Sequence, residues 1–184
     1  QHERAIEYYT LAIDIARDIG AKRSEGINLG NLGDALFQLD RIDEAEAAYR
    51  QAIPIGDEAF PMAAGAFRGS IALLLAQQGK LDEAQALLEP GEAQVAPEPG
   101  EHAKILSKKG QVCHIAGDSE GARAALKQAQ TIAAELKVTD ESEVGQAIAA
   151  LAAVLGDVEA DSEAEVSEEE ELALLEAERL MELG

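Results

Sequence analysis

An all-α fold of repeated, antiparallel helix pairs is what this sequence predicts, and three observations predict it. Small residues recur at an interval close to 39. The composition is 47% hydrophobic but only 3% aromatic, with no Trp. Its apolar residues are mostly Ala, Leu and Ile, which suit close-packed helices better than a β-sandwich. Finally, Gly or Asp stands at each point where paired helices would have to reverse.

The repeat is carried by Ala5, Ala45, Ala84 and Ala122, spaced 40, 39 and 38 residues apart. Seven residues after each lies another small residue: Ala12, Ala52, Gly91 and Ala129. Four after each lies a bulky one: Tyr9, Tyr49, Leu88 and Leu126. Ahead of the last three come Gly33, Ala72 and Gly110, then the turn residues Asp40, Gly79 and Gly117. Small residues allow two helices to cross closely, and large ones fill the space beside the crossing. Self-similarity at this period is the signature of a stacked repeat.

The elements follow in order. The first unit keeps only its second helix, about Glu3–Ile19. The second unit pairs Lys22–Leu39 with Ile42–Ile55. The third pairs Pro61–Gln78 with Leu81–Val95, and Pro61 suits a first helical turn. Pro90 within that second helix should kink or break it, and Ala96–Gly100 reads as a connector. The fourth unit pairs Glu101–Ala116 with Ser119–Leu136. A fifth begins at Ser142 and runs to Leu155. The domain is thus expected over 1–156. Residues 157–166 are too acidic and apolar-poor to pack and read as a linker. In 167–184, Ser167 caps, Glu168 to Glu171 fill the first turns, and Leu172, Leu175, Leu180 and Leu183 form a stripe. Three readings of this amphipathic segment stand: a cap on the solenoid, a partner-binding or dimerising helix, and a frayed tail.

The run Leu29-Gly30-Asn31-Leu32-Gly33, followed by Asp43-Glu44-Ala45, Tyr49 and Ala52-Ile53, resembles the tetratricopeptide repeat family. Units near 40 residues make it similar to the longer variant of kinesin light chains, Leu-Gly-Asn adaptors and bacterial regulators of like design. The resemblance covers about residues 3–155. It implies a right-handed superhelical α-solenoid that binds another protein or peptide in its concave groove. The absent first helix and initiator Met lead to the expectation of a piece of a longer protein.

The formal net charge is −21, and Asp157–Gly184 holds 12 acidic residues against one basic, Arg179. Nucleic acids and anionic membranes need clustered Lys and Arg, so neither is expected as a partner. No apolar run approaches the roughly 20 residues of a membrane span, and a cytoplasmic location is expected. Cys113 is the single cysteine. No internal disulfide is available, nor a site with two thiolates. His2, His102 and His114 lack metal-ligand spacing. Gly30-Asn31-Leu32-Gly33 follows no strand, so it serves helix packing rather than phosphate binding. Cys113 is expected as a small buried filler. No catalytic residue, metal or cofactor is expected.

The first helices of each unit line the concave side of such stacks. In the second unit, Ile27, Asn31, Asp34 and Gln38 share a face, flanked by Phe37. The third offers Ala66, Ser70, Leu73 and Gln77, with Arg68 nearby. The fourth offers Lys104, Lys108, Gln111 and His114. The expected groove runs from acidic-polar through small and apolar to basic. In carboxylate-clamp members of the family, basic residues at the places of Lys104 and Lys108 grip a terminal carboxylate. An Asn at the place of Asn31 hydrogen-bonds partner backbone. Gly30, Asp34 and Ser70 depart from the remaining clamp pattern. Three readings of the lysines therefore stand: a clamp, a looser anionic anchor, and ordinary solvated charges. Gly30, Ala66 and Gly69 either leave room for a peptide or serve helix packing.

Two rival functions accompany the groove reading. One is a self-associating structural module, a homo-oligomer formed through the C-terminal helix or an apolar edge on Ile6, Tyr9 and Ile13. The other is a sensory or regulatory segment of a larger bacterial signalling protein.

Overall fold

The computed structural model of this protein describes residues 2–156, and within them every regular element is helical. The expected linker 157–166 and amphipathic segment 167–184 lie outside the described residues. Seven helices follow in order: α1 His2–Asp18, α2 Lys22–Phe37, α3 Ile42–Ala59, α4 Pro61–Gln77, α5 Leu81–Val95, α6 Pro99–Ile115 and α7 Ser119–Leu136. An eighth, α8, occupies residues 143–156. The pairs are α2 with α3, α4 with α5 and α6 with α7, stacked in sequence. The result is an α-solenoid of antiparallel helix pairs. We call α2, α4, α6 and α8 the A helices, and α1, α3, α5 and α7 the B helices.

The repeated alanines mark the crossings. Ala45, Ala84 and Ala122 are each 0% exposed. The A-helix partners Gly33, Ala72 and Gly110 are buried as well. A Cβ on Gly33 would come within 2.7 Å of the Tyr49 ring, so Gly is what lets α3 approach α2. Tyr49 fills that space with no exposed surface, and burying such a side chain stabilises the pair by roughly 1.5–3 kcal/mol. On the other side of α2, the Phe67 ring of α4 occupies the place a Gly30 side chain would take. The same device joins α6 to α8, where Leu151 sits over Gly110.

The A-to-B reversals share one geometry. Asp40, Gly79 and Gly117 all adopt positive φ, at 59°, 77° and 78°. Behind each, the next amide reaches back five residues: Arg41 to the Leu36 carbonyl, Lys80 to Leu75, and Asp118 to Cys113. That backbone bond satisfies a carbonyl the helix end would otherwise orphan.

Three expectations about the elements need correction. First, α5 is not broken at Pro90 but runs unbroken from Leu81 to Val95. Second, α3 passes Pro54 and continues to Ala59, beyond the expected end at Ile55. Both prolines are exposed, so each costs one ladder bond on the solvent side while the buried side still packs. Third, α6 begins at Pro99 rather than Glu101, because a proline at the first turn has no amide hydrogen to lose. The stack is uneven beyond this point. α6 leans onto α4 more than α4 leans onto α2, and it touches α5 less than α4 touches α3. A crevice of about 510 Å³ opens between α5 and α6, lined by Leu88, Glu92, Lys109, Val112 and Cys113. Cys113 is accordingly half-buried rather than a buried filler.

A further correction concerns the N-terminal edge. Ile13 is 4% exposed, Ile6 packs against the core and Tyr9 is half-buried, so the expected edge of Ile6, Tyr9 and Ile13 is not the open one. The outward side of α1 instead carries Tyr8, Leu11 and Ile15, and Ile19 follows in the turn after the helix; all four are 51–73% exposed. The reason is rotational: α1 presents Ile6, Ile13 and Ala16 to the body, which turns the other stripe outward.

Candidate functional site

The A helices converge on one pocket. Ile27, Asn31 and Asp34 of α2, Ala66, Phe67 and Ser70 of α4, and Lys104, Ile105 and Lys108 of α6 line a cavity of about 350 Å³. Phe60 and Met62 close one wall, and Glu101 and Glu143 stand at the rim. Residues four and three apart on each helix share a face, so three helices laid side by side bring these side chains together. The volume lies within the roughly 300–1,000 Å³ of small ligand sites.

Its floor is a polar chain. The Tyr49 hydroxyl donates to Asp34 Oδ1 at 2.6 Å. The Ser70 hydroxyl donates to the same oxygen at 3.1 Å. Lys108 Nζ donates to Ser70 Oγ at 2.6 Å. Burial and the neighbouring Asp34 carboxylate push the Tyr49 phenol well above its ordinary range, so it remains a donor. Burial also pushes the Lys108 ammonium below its usual value. The Asp34 charge works against that shift, the Lys104 charge adds to it, and Glu101 opposes it.

Lys104 is held differently. Its Nζ lies 2.7 Å from Glu101 and 3.1 Å from Glu143 of α8. Burial works against its charge, but the two carboxylates outweigh this and its pKa is raised. Neither lysine is an ordinary solvated charge, and both face carboxylates.

The structure thus gathers Asn31, Asp34, Ser70, Lys104 and Lys108 of the expected groove residues. Gln38 lies one turn along, in a second, shallower hollow with Asn31 and Asp34. The others lie elsewhere. Arg68 turns away to α3 and α5, where it grips Asp57 with both nitrogens and also Gln94. Leu73 is 8% exposed and belongs to the core, against which Phe37 also packs. Gln77 is exposed at the end of α4, while Gln111 and His114 are half-buried on α6, outside the pocket. Sequence reasoning missed Glu101, Glu143, Phe60 and Met62. Glu101 was readable as the i−3 partner of Lys104. Glu143 was not, because it reaches Lys104 only through the packing of α8 on α6.

Among the described residues, no cluster of three His, Cys, Asp or Glu is placed to hold a metal ion. No described helix is long and apolar enough to cross a membrane.

Comparison with known proteins agrees with this architecture. The tetratricopeptide repeat family model matches residues 1–58, and a second tetratricopeptide repeat model matches residues 67–90. The solved structure of BtubC (BKLC) from P. vanneervenii superimposes with a TM-score of 0.61 at 21% identity. The match covers 77% of this chain and spans 60% of that one. No curated protein matches the sequence. With two repeat models matched in succession on a stack of helix pairs, the chain carries tetratricopeptide repeats over residues 1–58 and 67–90.

Proposed function

We propose that the concave groove holds a segment of a partner protein, and that the chain serves as a protein-interaction scaffold rather than an enzyme. Tetratricopeptide repeats are generally protein-interaction modules. One observation carries the finer reading. The A helices of consecutive units build one pocket whose walls are apolar and whose polar groups are not all spent. The Asn31 side chain makes no hydrogen bond among the described residues and lines the pocket's edge. A carboxamide has two donors and an acceptor, which suits the backbone of an extended segment. The scaffold is rigid, so little conformational entropy is lost when the segment docks.

The test selects phage-displayed 12-residue peptides on the full chain and measures affinity by fluorescence polarisation. Asn31→Ala is expected to weaken the selected peptides at least tenfold. Gln85→Ala, on the exposed side of α5, is expected to change nothing. Equal affinity for Asn31→Ala and the parent would remove the concave groove as the binding site.

A second reading is favoured by a separate observation. The exposed stripe of Tyr8, Leu11 and Ile15 on α1, continued by Ile19 in the turn after it, is an apolar face fit for self-association.

A further inference from the structure

The pocket floor is built for a group that both donates and accepts. Lys108 carries three N–H donors and spends one on Ser70. Asp34 receives Tyr49 and Ser70 on Oδ1, and its Oδ2 takes no hydrogen bond among the described residues. The two bonds through Ser70 Oγ, 2.6 Å and 3.1 Å, keep Lys108 Nζ close to Asp34, yet the two form no direct ion pair. An unspent cationic donor and an unspent anionic acceptor therefore stand a short step apart, inside an apolar-walled cavity.

We infer that this pair recognises a neutral side-chain carboxamide, a glutamine of the partner segment, with its carbonyl on Lys108 and its amide hydrogens on Asp34. The inference rests on the groove reading above and names the chemistry that the groove selects.

Charge decides against the alternatives. The pocket holds three carboxylates, Asp34, Glu101 and Glu143, against two ammoniums, Lys104 and Lys108. Lys104 is already committed to Glu101 and Glu143. A glutamate or terminal carboxylate would bring a fourth negative charge beside Asp34, where the medium screens poorly. A lysine tip would meet the Lys108 ammonium. A leucine would displace water from Lys108 and Asp34 without replacing its hydrogen bonds, and unpaired buried polar groups are costly. A glutamine adds no charge and completes both partners. Its two methylenes can lie along the walls formed by Ile27, Phe67 and Ile105.

The experiment uses the peptides selected above. The tightest binder is resynthesised with blocked termini in four forms, carrying Gln, Glu, Lys or Leu at the anchoring position. On the parent chain, the Gln form is expected to bind at least tenfold more tightly than the other three. Lys108→Met is expected to erase that preference. Asp34→Asn keeps an acceptor for Tyr49 and Ser70 but leaves the Lys108 charge unbalanced, and it is expected to shift preference from Gln toward Glu. Melting curves show whether the variants are folded. Lys108→Met leaves the Asp34 carboxylate without its cation and is expected to melt below the parent, because removing one partner of a buried charged pair is destabilising. A cooperative melt above the assay temperature keeps its peptide preference readable, and Asp34→Asn supplies the second, independent readout. Selected peptides that lack carboxamides, or a Glu form as tight as the Gln form on the parent chain, overturn the inference. So does a Gln preference that survives Lys108→Met. If Asn31→Ala still weakens those peptides, the groove stands and only the carboxamide falls. If no groove substitution matters, both fall.

Discussion

At the scale of the residue, the smallest side chains set the geometry that the largest ones fill. Gly30 is the sharpest case. A Cβ there would overlap the Phe67 ring, and Phe67 is 6% exposed, wedged between α2 and α4 while also forming a wall of the pocket. An added methyl can be accommodated only by moving the ring or spreading the helices. Gly30→Ala is therefore expected to destabilise the fold by about 1–3 kcal/mol, the usual cost of overpacking, even though Ala is the better helix former. A urea midpoint that rises instead would show that propensity outweighs the collision. The variant should also weaken peptide binding, since Phe67 lines the pocket and its displacement reshapes the wall. Much of this was legible in the sequence. Asn31, Asp34 and Lys108 fell on predictable helix faces because the 3.6-residue period is insensitive to the exact helix ends. Arg68 was misread as a neighbour of the groove, since its long side chain reaches whichever carboxylate is nearest, and Asp57 lies on the other side. The hydroxyl of Tyr49 was readable only as bulk. Its bond to Asp34 needs the register of α3 on α2, which no single-helix pattern contains.

At the scale of the element, the junctions between helices are where polar side chains matter most. Glu25 of α2 is 4% exposed, yet it carries a carboxylate. Lys22 bonds it at 2.8 Å from its own helix, and Arg17 bonds it at 2.8 Å from α1. These two bonds, the Lys22 one first, hold its pKa below the ordinary carboxylate value despite burial. A depressed folded pKa means that the unfolded chain takes up the proton first as pH falls. The stabilisation is thus complete above the unfolded value near 4.5 and is lost as pH drops through the lower folded one. Glu25→Gln removes the charge at every pH. It is expected to cost about 1 kcal/mol at pH 7, because Arg17 and Lys22 remain partly solvated, and to cost progressively less below pH 4.5. Urea titrations of both proteins at pH 7 and pH 3.5 check this. A gap that stays constant with pH would show that Glu25 contributes packing and not charge. The sequence placed these helices well, because small residues and positive-φ turns are local signals. It missed the end of α3 and the continuity of α5 through Pro90, because a proline is helix-breaking only where its lost bond and its ring face protein, and facing is a tertiary property.

At the scale of the whole molecule, the exposed face of α1 and the net charge pull in opposite directions, and their balance is measurable. Tyr8, Leu11 and Ile15 lie along one side of α1 and Ile19 in the turn after it, with more than half of each exposed. Burying that stripe against a second copy would remove a continuous apolar surface from water, a favourable step at roughly 25 cal/mol per Å². Each copy carries a formal charge of −21, however, and like charges resist approach. Salt acts on the second contribution, and in the direction that favours association. The screening length falls from about 30 Å at 0.01 M to about 3 Å at 1 M, so repulsion between copies fades while apolar burial persists. The expected result in light scattering is a monomer in dilute buffer at low ionic strength, and a rising apparent mass as protein and sodium chloride increase. Leu11→Glu with Ile15→Glu should hold the chain monomeric at every salt concentration without altering its helical circular dichroism, since neither side chain contributes to the core. Opposite salt dependence, with association lost as ionic strength rises, would point to ion pairs between copies rather than to α1. A monomer throughout, in a chain whose helicity is intact, would mean that the face is too small to overcome the entropy of bringing two molecules together.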